Sequence, residues 1–371
     1  MKRKIKVLHI AQAAGGVERY IQMLLKYINR DEFENILICS YDYTLEKFDK
    51  LTDGFEQIAM RRSIGIHDIK AIAKVRKLIK RYNPDIVYAH SSKAGAIARL
   101  ANVGMKNKCI YNPHGWAFNM QCSKKKEMIY IAIEKLLALF CDKIICISDA
   151  EKESALKKFI CKEGKLQVIF SGIDVQAYEK CKQIVFARED LLIPADAYVV
   201  GMVGRLSQQK APDVFIRAAE IIKKSIPNAF FVMVGSGELQ DEIQQYAERY
   251  GFSDSLLITG WIDEPMKYVE HFDVAMLLSR WEGFGLVLPE YMLAEKPIVA
   301  TNVDAIPNII TDGENGLLVE RNDYQAVAEA VIKLHNNRNL VDKLREFGTN
   351  CVYKRFNVER VAKETEAIFN L

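Results

Sequence analysis

Short apolar runs alternate with longer amphipathic segments along the first half of the chain. The apolar runs are as long as strands that are buried on both faces of a sheet, and they occupy residues 5–10, 34–40, 85–90, 108–115 and 142–148. Helices are predicted between them, at residues 17–28, 69–82, 94–103 and 124–140. Because strands and helices alternate with short connections, the pattern predicts parallel βαβ units.

The second half repeats this pattern. Its apolar runs lie at residues 198–204, 229–235, 256–260, 273–279, 296–301 and 316–320. A polar segment near residues 180–196 separates the halves, and the final helical segment, 356–371, is followed by no strand. We therefore predict an α/β protein of two doubly wound domains, with a ligand cleft between the carboxyl ends of their sheets. The predicted domains are residues 1–183 with 355–371, and residues 184–354.

The composition is that of a globular protein, with 50% hydrophobic and 27% charged residues among 371. The eight cysteines form no CxxC pair, which argues against a zinc site or a disulfide framework and indicates a reducing, cytoplasmic setting. The N-terminal apolar run is too short for a signal peptide. No uninterrupted run of about 18 apolar residues occurs, so no transmembrane helix is predicted.

Charge is distributed unequally between the halves. Residues 1–180 hold 32 Lys and Arg against 20 Asp and Glu, a net of +12, and the remaining residues hold 20 against 28, a net of −8. The first half is therefore expected to face an anionic partner, such as a membrane surface, a lipid phosphate or nucleic acid. Segment 123–140 begins with three lysines and is mostly apolar afterwards. It could lie on a membrane surface, or it could be a core or interdomain helix with a solvated start.

Segment 279–290, SRWEGFGLVLPE, combines two carboxylates with a glycine loop. It follows an apolar run, and Pro289 favours a helix that begins at about that residue. A strand, a glycine loop and a helix start form the place where open α/β sheets bind ligands. Glu282 and Glu290 could act as an acid and a base, as in glycoside hydrolysis, or Glu290 could merely offset the helix dipole, by about 0.3–1 kcal/mol. Spacing alone leaves these alternatives open.

Two cations and two glycines mark further candidate phosphate sites. Arg205 and Lys210, in GRLSQQK, follow a predicted strand and could hold a diphosphate. Gly15 and Gly16 follow the first strand and open a helix, although glycine at such a turn is often purely structural. No Asp-x-Asp occurs in the chain, so cations and helix N-termini would replace a metal at the phosphates.

His114, in NPHGW, ends a strand and precedes a glycine. A lone histidine is more often a satisfied structural residue than a catalyst. His9 and His90 also end predicted strands, and the remaining histidines are at positions 67, 271 and 335.

With these motifs assembled, the chain resembles the retaining glycosyltransferases of family four, which have the GT-B fold of two facing Rossmann-like domains. The resemblance runs nearly end to end, and the chain looks like family members that build bacterial capsule, exopolysaccharide or lipopolysaccharide. Its motifs are GGVE (15–18), HSSKAG (90–95), PHGW (113–116), ISDAEK (147–152), SGID (171–174), GRLSQQK (204–210), VGSGE (234–238), WEGFGLVLPE (281–290) and the closing helix.

The resemblance implies a role for each candidate residue. Glu290 would bind the ribose of a nucleotide-sugar donor, and Arg205 and Lys210 would bind its diphosphate, assisted by the Gly15–Gly16 loop. His114 would lie beside the donor sugar, and backbone near Ile262 would face the base. Glu282 would hold the sugar hydroxyls together with the loop of Gly283, Phe284, Gly285 and Leu286. Within this set, the catalytic residues are expected to be His114, Glu282, Arg205 and Lys210. Two departures affect loop geometry: Ala211 stands where the family commonly has glycine, and Ser171 where it has asparagine.

The implied reaction transfers a hexose or N-acetylhexosamine, with retention and without a metal or cofactor, from a UDP-sugar to a lipid-linked or other saccharide acceptor. The enzyme would be peripheral on the cytoplasmic membrane face and would bind no nucleic acid. A nucleotide-sugar epimerase and a noncatalytic nucleotide-sugar-binding subunit remain alternatives. A nicotinamide-dependent oxidoreductase is disfavoured, because no full GxGxxG follows the first strand.

Overall fold

The computed structural model describes residues 3–12, 14–61, 63, 65–182 and 186–371. The chain divides into two compact units. Unit 1 comprises Met1–Gly172 and Val358–Leu371, and unit 2 comprises Ile173–Asn357. The predicted boundary at residues 183 and 184 lies outside the described residues, and the second crossing, at 357 and 358, is three residues beyond the one predicted.

Within the described residues, the sheet of unit 1 has seven strands in the order β3-β2-β1-β4-β5-β6-β7. All neighbouring strands pair in parallel. The strands are β1 (Ile5–Ala11), β2 (Phe33–Cys39), β3 (Gly54–Gln57), β4 (Ile86–His90), β5 (Lys108–Asn112), β6 (Lys143–Cys146) and β7 (Leu166–Val168).

Unit 2 repeats this topology in a parallel sheet of six described strands, in the order β10-β9-β8-β11-β12-β13. The strands are β8 (Tyr198–Val203), β9 (Ala229–Val234), β10 (Leu256–Ile258), β11 (Val274–Leu277), β12 (Ile298–Thr301) and β13 (Leu317–Val319). Both sheets contain the doubly wound order 3-2-1-4-5-6. Each order reverses beside the first strand of its sheet, which places a ligand-binding position between β1 and β4 and another between β8 and β11.

Helices cover both sheets. Those of the first 182 residues are α1 (Gly16–Tyr27), α2 (His67–Tyr82), α3 (Ser92–Ala101), α4 (Lys124–Leu137), α5 (Asp149–Lys157) and α6 (Val175–Cys181). Those that follow are α7 (Pro212–Ser225), α8 (Gln240–Arg249), α9 (Met266–Val269), α10 (Val287–Leu293), α11 (Tyr324–His335), α12 (Arg338–Arg355) and α13 (Val358–Phe369).

The last helix, α13, packs on unit 1 although it follows unit 2 in the chain. Phe369 contacts the rings of Phe33 and Tyr88, each at 5.6 Å between centroids. The Glu366 carboxylate accepts a hydrogen bond from the backbone N–H of Asn29 at 2.7 Å. These contacts bury the apolar face of α13 against the end of α1 and the first sheet.

The predicted parallel α/β class is confirmed, and every predicted strand is present with small shifts at its ends. The apolar runs predict strands well because parallel strands covered on both faces are apolar throughout, as in Ile86–His90, which is wholly buried. Two short strands at the edges of the first sheet, β3 and β7, were missed. All four residues of β3 are half-buried, and only the first of the three residues of β7 is buried, so neither strand has a continuous apolar run.

Candidate active site

Two loops at the carboxyl end of the second sheet are tied together. One follows β8 and the other follows β11, and these strands are neighbours. The backbone N–H of Arg280 donates to the Gln209 carbonyl at 2.8 Å, and the Gln209 side chain donates to the Trp281 carbonyl at 3.1 Å. The Arg280 guanidinium also donates to both oxygens of Asp213, at 3.1 and 2.5 Å. This two-pronged ion pair fixes the loops against each other.

The connection brings Lys210 and Glu282 into contact. The Lys210 ammonium donates to Glu282 Oε2, and the Ser279 hydroxyl donates to the same oxygen at 3.0 Å. The side chains of Lys210 and Glu282 are 18% and 9% exposed, so they keep a path to solvent. Two residues that lie 72 positions apart thus form one charged group at the ligand-binding end of the sheet.

Asp304 holds the backbone of Glu282. Its carboxylate accepts a hydrogen bond from the Glu282 N–H at 2.9 Å. Burial raises the pKa of Asp304, and the hydrogen bond from Glu282 opposes that rise. Asp304, Arg280, Asp213 and Ser279 were not predicted as site residues. Arg280 and Ser279 adjoin the predicted glycine loop, but Asp213 and Asp304 carry no local sequence signal, because strand order alone brings them there.

The glycine loop after Glu282 has the geometry that its residues require. Gly285 has φ +85°, and a Cβ there would lie 2.9 Å from the Leu277 side chain, so glycine is needed. Phe284 is buried, with its ring edge-on to Phe356 at 5.7 Å, and Leu286 is half-buried. Helix α10 begins at Val287 rather than at about Pro289, so the prediction was two residues late. Glu290 is buried in this helix.

The loop after β8 is held by close backbone packing. Gly235 and Gly237 would each place a Cβ within 2.3 Å of a carbonyl oxygen of residues 204–206, which explains the glycines of VGSGE. Arg205 is exposed on this loop. Ala211 is buried in the left-handed region, with φ 51°, at the N-cap of α7. That conformation is the physical reason that glycine suits this position. Ile262 is half-buried, two residues after Gly260.

In unit 1, His114 ends a row of hydrogen-bonded side chains. His114 Nε2 lies 3.1 Å from His90 Nδ1, His90 Nε2 lies 3.2 Å from His9 Nδ1, and His9 Nε2 lies 3.0 Å from Asn35 Oδ1. The row crosses the neighbouring strands β2, β1 and β4 and ends after β5. The sequence places His9 and His90 at the ends of predicted strands, but it does not predict their alignment with His114.

The histidine row is shielded from solvent except at His114, which is half-buried. His9, His90 and Asn35 are buried, and the Tyr88 and Tyr20 rings cover the imidazoles, at 4.1 Å from His90 and 4.6 Å from His114 between centroids. Burial lowers the pKa of His9 to about 4 and that of His114 to about 3. Burial, with the two neighbouring imidazoles, lowers the pKa of His90 well below its usual value. The three rings are therefore neutral at physiological pH.

Glu151 holds the segment that carries His114. Its carboxylate accepts hydrogen bonds from the backbone N–H groups of Gly115 and Ile147, the latter at 2.8 Å, and its carbonyl accepts one from the Trp116 indole at 2.9 Å. Burial raises the pKa of Glu151 to about 8, against these hydrogen bonds. His114 itself has φ 52°. The ISDAEK motif thus has a structural role in shaping the PHGW segment.

The Gly15–Gly16 loop is exposed at the start of α1. Gly15 has φ +93°, which favours glycine, and its N–H donates to the Glu18 carboxylate at 3.4 Å. Glu18 also pairs with Lys47 at 3.4 Å. The loop lies beyond the carboxyl end of β1, at the ligand-binding edge of the first sheet.

Family comparisons match both units. The family described as Glycosyltransferase Family 4 matches residues 14–177, and the family described as Glycosyl transferases group 1 matches residues 184–350. The chain belongs to the glycosyltransferases. The predicted membership and the GT-B class of its two sheets are confirmed, and the protein is a hexosyltransferase that uses a nucleotide-sugar.

Relatives of this glycosyltransferase include named bacterial glycosyltransferases, one of them of capsular polysaccharide biosynthesis. An Escherichia coli protein named UDP-Gal:alpha-D-GlcNAc-diphosphoundecaprenol alpha-1,3-galactosyltransferase is 28% identical, covering 99% of this chain and 96% of its own. The capsular polysaccharide biosynthesis glycosyltransferase CapM of Staphylococcus aureus is 24% identical, covering 98% and 97%. Anabaena Alr3699/HepE, solved with UDP and glucose, shares the fold with a TM-score of 0.84 at 20% identity, covering 99% of both chains.

Helix α4 of the enzyme is packed on one face and exposed on the other. Its buried Glu134 pairs with Arg99 at 2.8 Å and accepts a hydrogen bond from the Tyr111 hydroxyl at 3.0 Å. Met128, Leu136 and the following Leu139 are exposed, and three lysines open the helix. Within the part of the chain that the structure describes, no helix is long and apolar enough to cross a membrane.

Proposed function

We propose that this glycosyltransferase moves a hexose or N-acetylhexosamine from a UDP-sugar to a hydroxyl of a lipid-linked saccharide, with retention at the anomeric carbon. The observation that carries the proposal is the contact between Lys210 and Glu282 at the carboxyl end of the second sheet. A cation and a carboxylate in contact suit the two adjoining parts of the donor, its diphosphate and its sugar hydroxyls. The donor and acceptor in the name of the Escherichia coli relative support the choice of substrates.

Lys210 serves the diphosphate without leaving Glu282. An ammonium has three N–H donors, so one can stay on Glu282 while another reaches a phosphate oxygen. The exposed Arg205 adds a second cation from the same loop, and the Gly15–Gly16 loop of unit 1 adds backbone N–H groups. Preorganised cations of this kind stabilise the charge that develops on a leaving group, which is why no metal is required in this proposal.

Glu282 and Glu290 bind hydroxyl groups rather than acting as an acid and a base. Glu282 takes the sugar hydroxyls together with the backbone N–H groups of the Gly283–Leu286 loop, and Glu290 takes the ribose. Backbone near Ile262 contacts the base, and His114 lies beside the sugar. In the reaction, the bond from the anomeric carbon to the diphosphate oxygen breaks and the bond to the acceptor oxygen forms. The acceptor proton passes to the leaving diphosphate on the same face.

The test is a screen of nucleotide-sugars for release of the nucleoside diphosphate, with and without a chelator and a polyprenyl diphosphate sugar. The expected result is turnover of a UDP-sugar that survives the chelator and rises with the acceptor. NMR of the product is expected to show the anomeric configuration of the donor. Release from no nucleotide-sugar would refute the proposal, and an epimerised donor sugar without transfer would make the protein an epimerase.

We also propose that α4 and the residues after it bring the enzyme to the cytoplasmic face of an anionic membrane, where lipid-linked acceptors lie. The support is the exposed apolar face of Met128, Leu136 and Leu139 beside three lysines, and the net charge of +12 in residues 1–180. Each lysine near an anionic surface contributes about 1 kcal/mol.

Sedimentation with anionic and with zwitterionic vesicles at low salt tests the membrane proposal. Binding to anionic vesicles is expected to weaken in Leu139→Glu. The matched control is Leu192→Glu in unit 2, because both leucines are 73% exposed, and it is expected to bind as the wild type does. Equal binding of the two variants, or no binding of the wild type, would refute the membrane proposal. The proposed transfer reaction would not be affected.

A further inference from the structure

We infer that the row Asn35–His9–His90–His114 is a hydrogen-bond relay that fixes the tautomer of His114, so that its Nδ1 is an acceptor for a substrate hydroxyl. Asn35, His9 and His90 are then positioning residues that act through His114. The inference rests on the proposed function only in giving His114 a place beside the sugar. All four residues of the relay lie in unit 1.

The direction of the relay follows from its first member. The Asn35 amide is placed with its carbonyl oxygen toward His9 Nε2, at 3.0 Å, and with its buried Nδ2 unpaired among the described residues. A carbonyl oxygen can only accept, so in this placement His9 carries its proton on Nε2. A neutral imidazole has one N–H, so His9 Nδ1 is an acceptor and takes a hydrogen bond from His90 Nε2. His90 therefore carries its single proton on Nε2, so its Nδ1 accepts a hydrogen bond from His114 Nε2. His114 Nδ1 is left without a proton.

Two features keep the rings neutral and the row continuous. Burial holds the pKa of each imidazole below its usual value, so a second proton that would break the alternation is absent at physiological pH. Tyr88 and Tyr20 enclose the row, with their hydroxyl oxygens 3.4 Å apart. Burial of Asn35, His9 and His90 strengthens the hydrogen bonds between them and makes an unmatched pair of donors or acceptors costly there.

The strand order explains why the row reaches the site. Asn35, His9 and His90 lie on β2, β1 and β4, which are adjacent in the sheet, and His90 is level with Asn112 of β5. Asn112 in turn accepts a hydrogen bond from the His114 N–H at 3.0 Å. The row therefore connects a buried amide in the sheet interior to the imidazole at its carboxyl edge.

Nitrogen-15 NMR of protein labelled in histidine tests the relay directly, because the two ring nitrogens of a neutral imidazole have different shifts. His9, His90 and His114 are expected as Nε2–H tautomers in the full chain, with signals assigned by His→Gln variants. His67, His271 and His335 lie outside the row and are internal references. An Nδ1–H tautomer at His114 would overturn the inference, whatever the activity of the protein.

Substitution of Asn35 tests the direction of control. Asn35→Asp keeps an acceptor and is expected to keep the Nε2–H tautomer of His114, whereas Asn35→Leu removes it and is expected to leave His114 as a mixture of tautomers. An unchanged His114 spectrum in a folded Asn35→Leu protein would refute control by Asn35. Should Asn35→Leu fail to fold, as circular dichroism would show, His9→Gln interrupts the row one step later and carries the same expectation.

A double-mutant cycle separates positioning from general support of the fold. Asn35→Leu is expected to lower kcat/KM about tenfold in the wild-type background. A loss of this size lies within the range of interaction energies between groups in one hydrogen-bond network. The same change in a His114→Ala background is expected to have no further effect. An equal loss in both backgrounds would overturn the positioning role. If the wild-type protein shows the expected tautomers but has no activity on any donor, the proposed function is refuted and the relay is not.

Discussion

The two units place different chemistry on the same scaffold. Their sheets share one strand order, and both carry candidate residues at the carboxyl ends of the strands beside the reversal. In unit 2 these residues are ions, Lys210 against Glu282, with a path to solvent. In unit 1 they are neutral imidazoles in a largely buried row. Ions suit a charged diphosphate, whereas neutral rings with fixed tautomers suit hydroxyls, so one topology can prepare two kinds of subsite.

Buried charge in unit 1 is expected to matter to stability rather than to catalysis. Glu134→Ala leaves the Arg99 guanidinium buried without its carboxylate, and breaking a buried pair in this way costs about 3–5 kcal/mol. Urea unfolding measures the loss. Glu153→Ala is the control, because its pair with Lys157 is exposed on both sides and is worth about 0–1 kcal/mol. Similar losses in both variants would contradict the distinction.

Charge in unit 2 is expected to matter to catalysis rather than to stability. Lys210→Ala removes the cation placed at the diphosphate, and loss of one such donor lowers kcat by about 10²–10³. Lys224→Ala is a matched control, because Lys224 pairs with Glu220 on the surface of α7. Steady-state kinetics with the donor found in the screen gives both values. Turnover by Lys210→Ala at the wild-type rate would contradict a catalytic role for the charge in unit 2.

Glu151, a buried carboxylate of unit 1, meets backbone N–H groups, whereas Glu282 of unit 2 meets an ammonium. The pKa of Glu151 is raised to about 8 in the folded protein, so between its usual pKa and 8 the folded state holds a proton that the unfolded state releases. Stability from this group is therefore present at low pH and is lost as pH rises. At about 1.4 kcal/mol per pH unit, the free energy of unfolding should fall by up to about 2 kcal/mol from pH 6 to 7.5.

Glu151→Gln checks this pH dependence. The variant is expected to be less stable at pH 5.5, since an amide N–H₂ cannot accept from a backbone N–H, and its stability should change less between pH 6 and 7.5. Urea titrations at several pH values measure both. A slope as steep as that of the wild type would show that Glu151 is ionised in the folded protein.

The smallest effect concerns backbone strain, which both units carry. Ala211 and His114 have φ of 51° and 52°, a region that costs a residue with a Cβ about 1–2 kcal/mol. Ala211→Gly relieves this cost but raises the conformational entropy of the unfolded chain. It is therefore expected to raise the free energy of unfolding by less than about 1 kcal/mol. Ala218→Gly, within α7, is the control and is expected to lower it by about 1 kcal/mol. Loss of stability in both variants would argue against strain at Ala211.

The fold was largely predictable from the sequence, and the charged site in part. Runs such as 229–235 are apolar because both faces of a central parallel strand are covered. Successive residues of such a strand are therefore apolar, whichever face they point to. The edge strands β3 and β7 lack that environment and were not found. The sequence singles out Glu282, Lys210 and Arg205 because each lies in a motif of unusual composition directly after a strand, and the structure brings the first two into contact.

The partners of those residues were not predictable in the same way. Asp304 supports Glu282 from 22 positions away, and Asp213 meets Arg280 across 67 positions. Each is an ordinary surface residue type in an ordinary context, and no local pattern distinguishes it. His9 and His90 were seen at strand ends, but a row requires β1 to lie between β2 and β4, which periodicity does not specify.

By itself the sequence determined the element types, the parallel α/β class, the glycine loops and the family motifs, because each depends on residues close together in the chain. The tertiary structure decided which strands are neighbours, and with them the Lys210–Glu282 contact, the Arg280–Asp213 tie and the histidine row. The physical reason is that hydrogen bonds and ion pairs act over about 3 Å between groups that strand order brings together. Hydrophobic periodicity buries a strand, but it does not choose the neighbour beside which that strand lies.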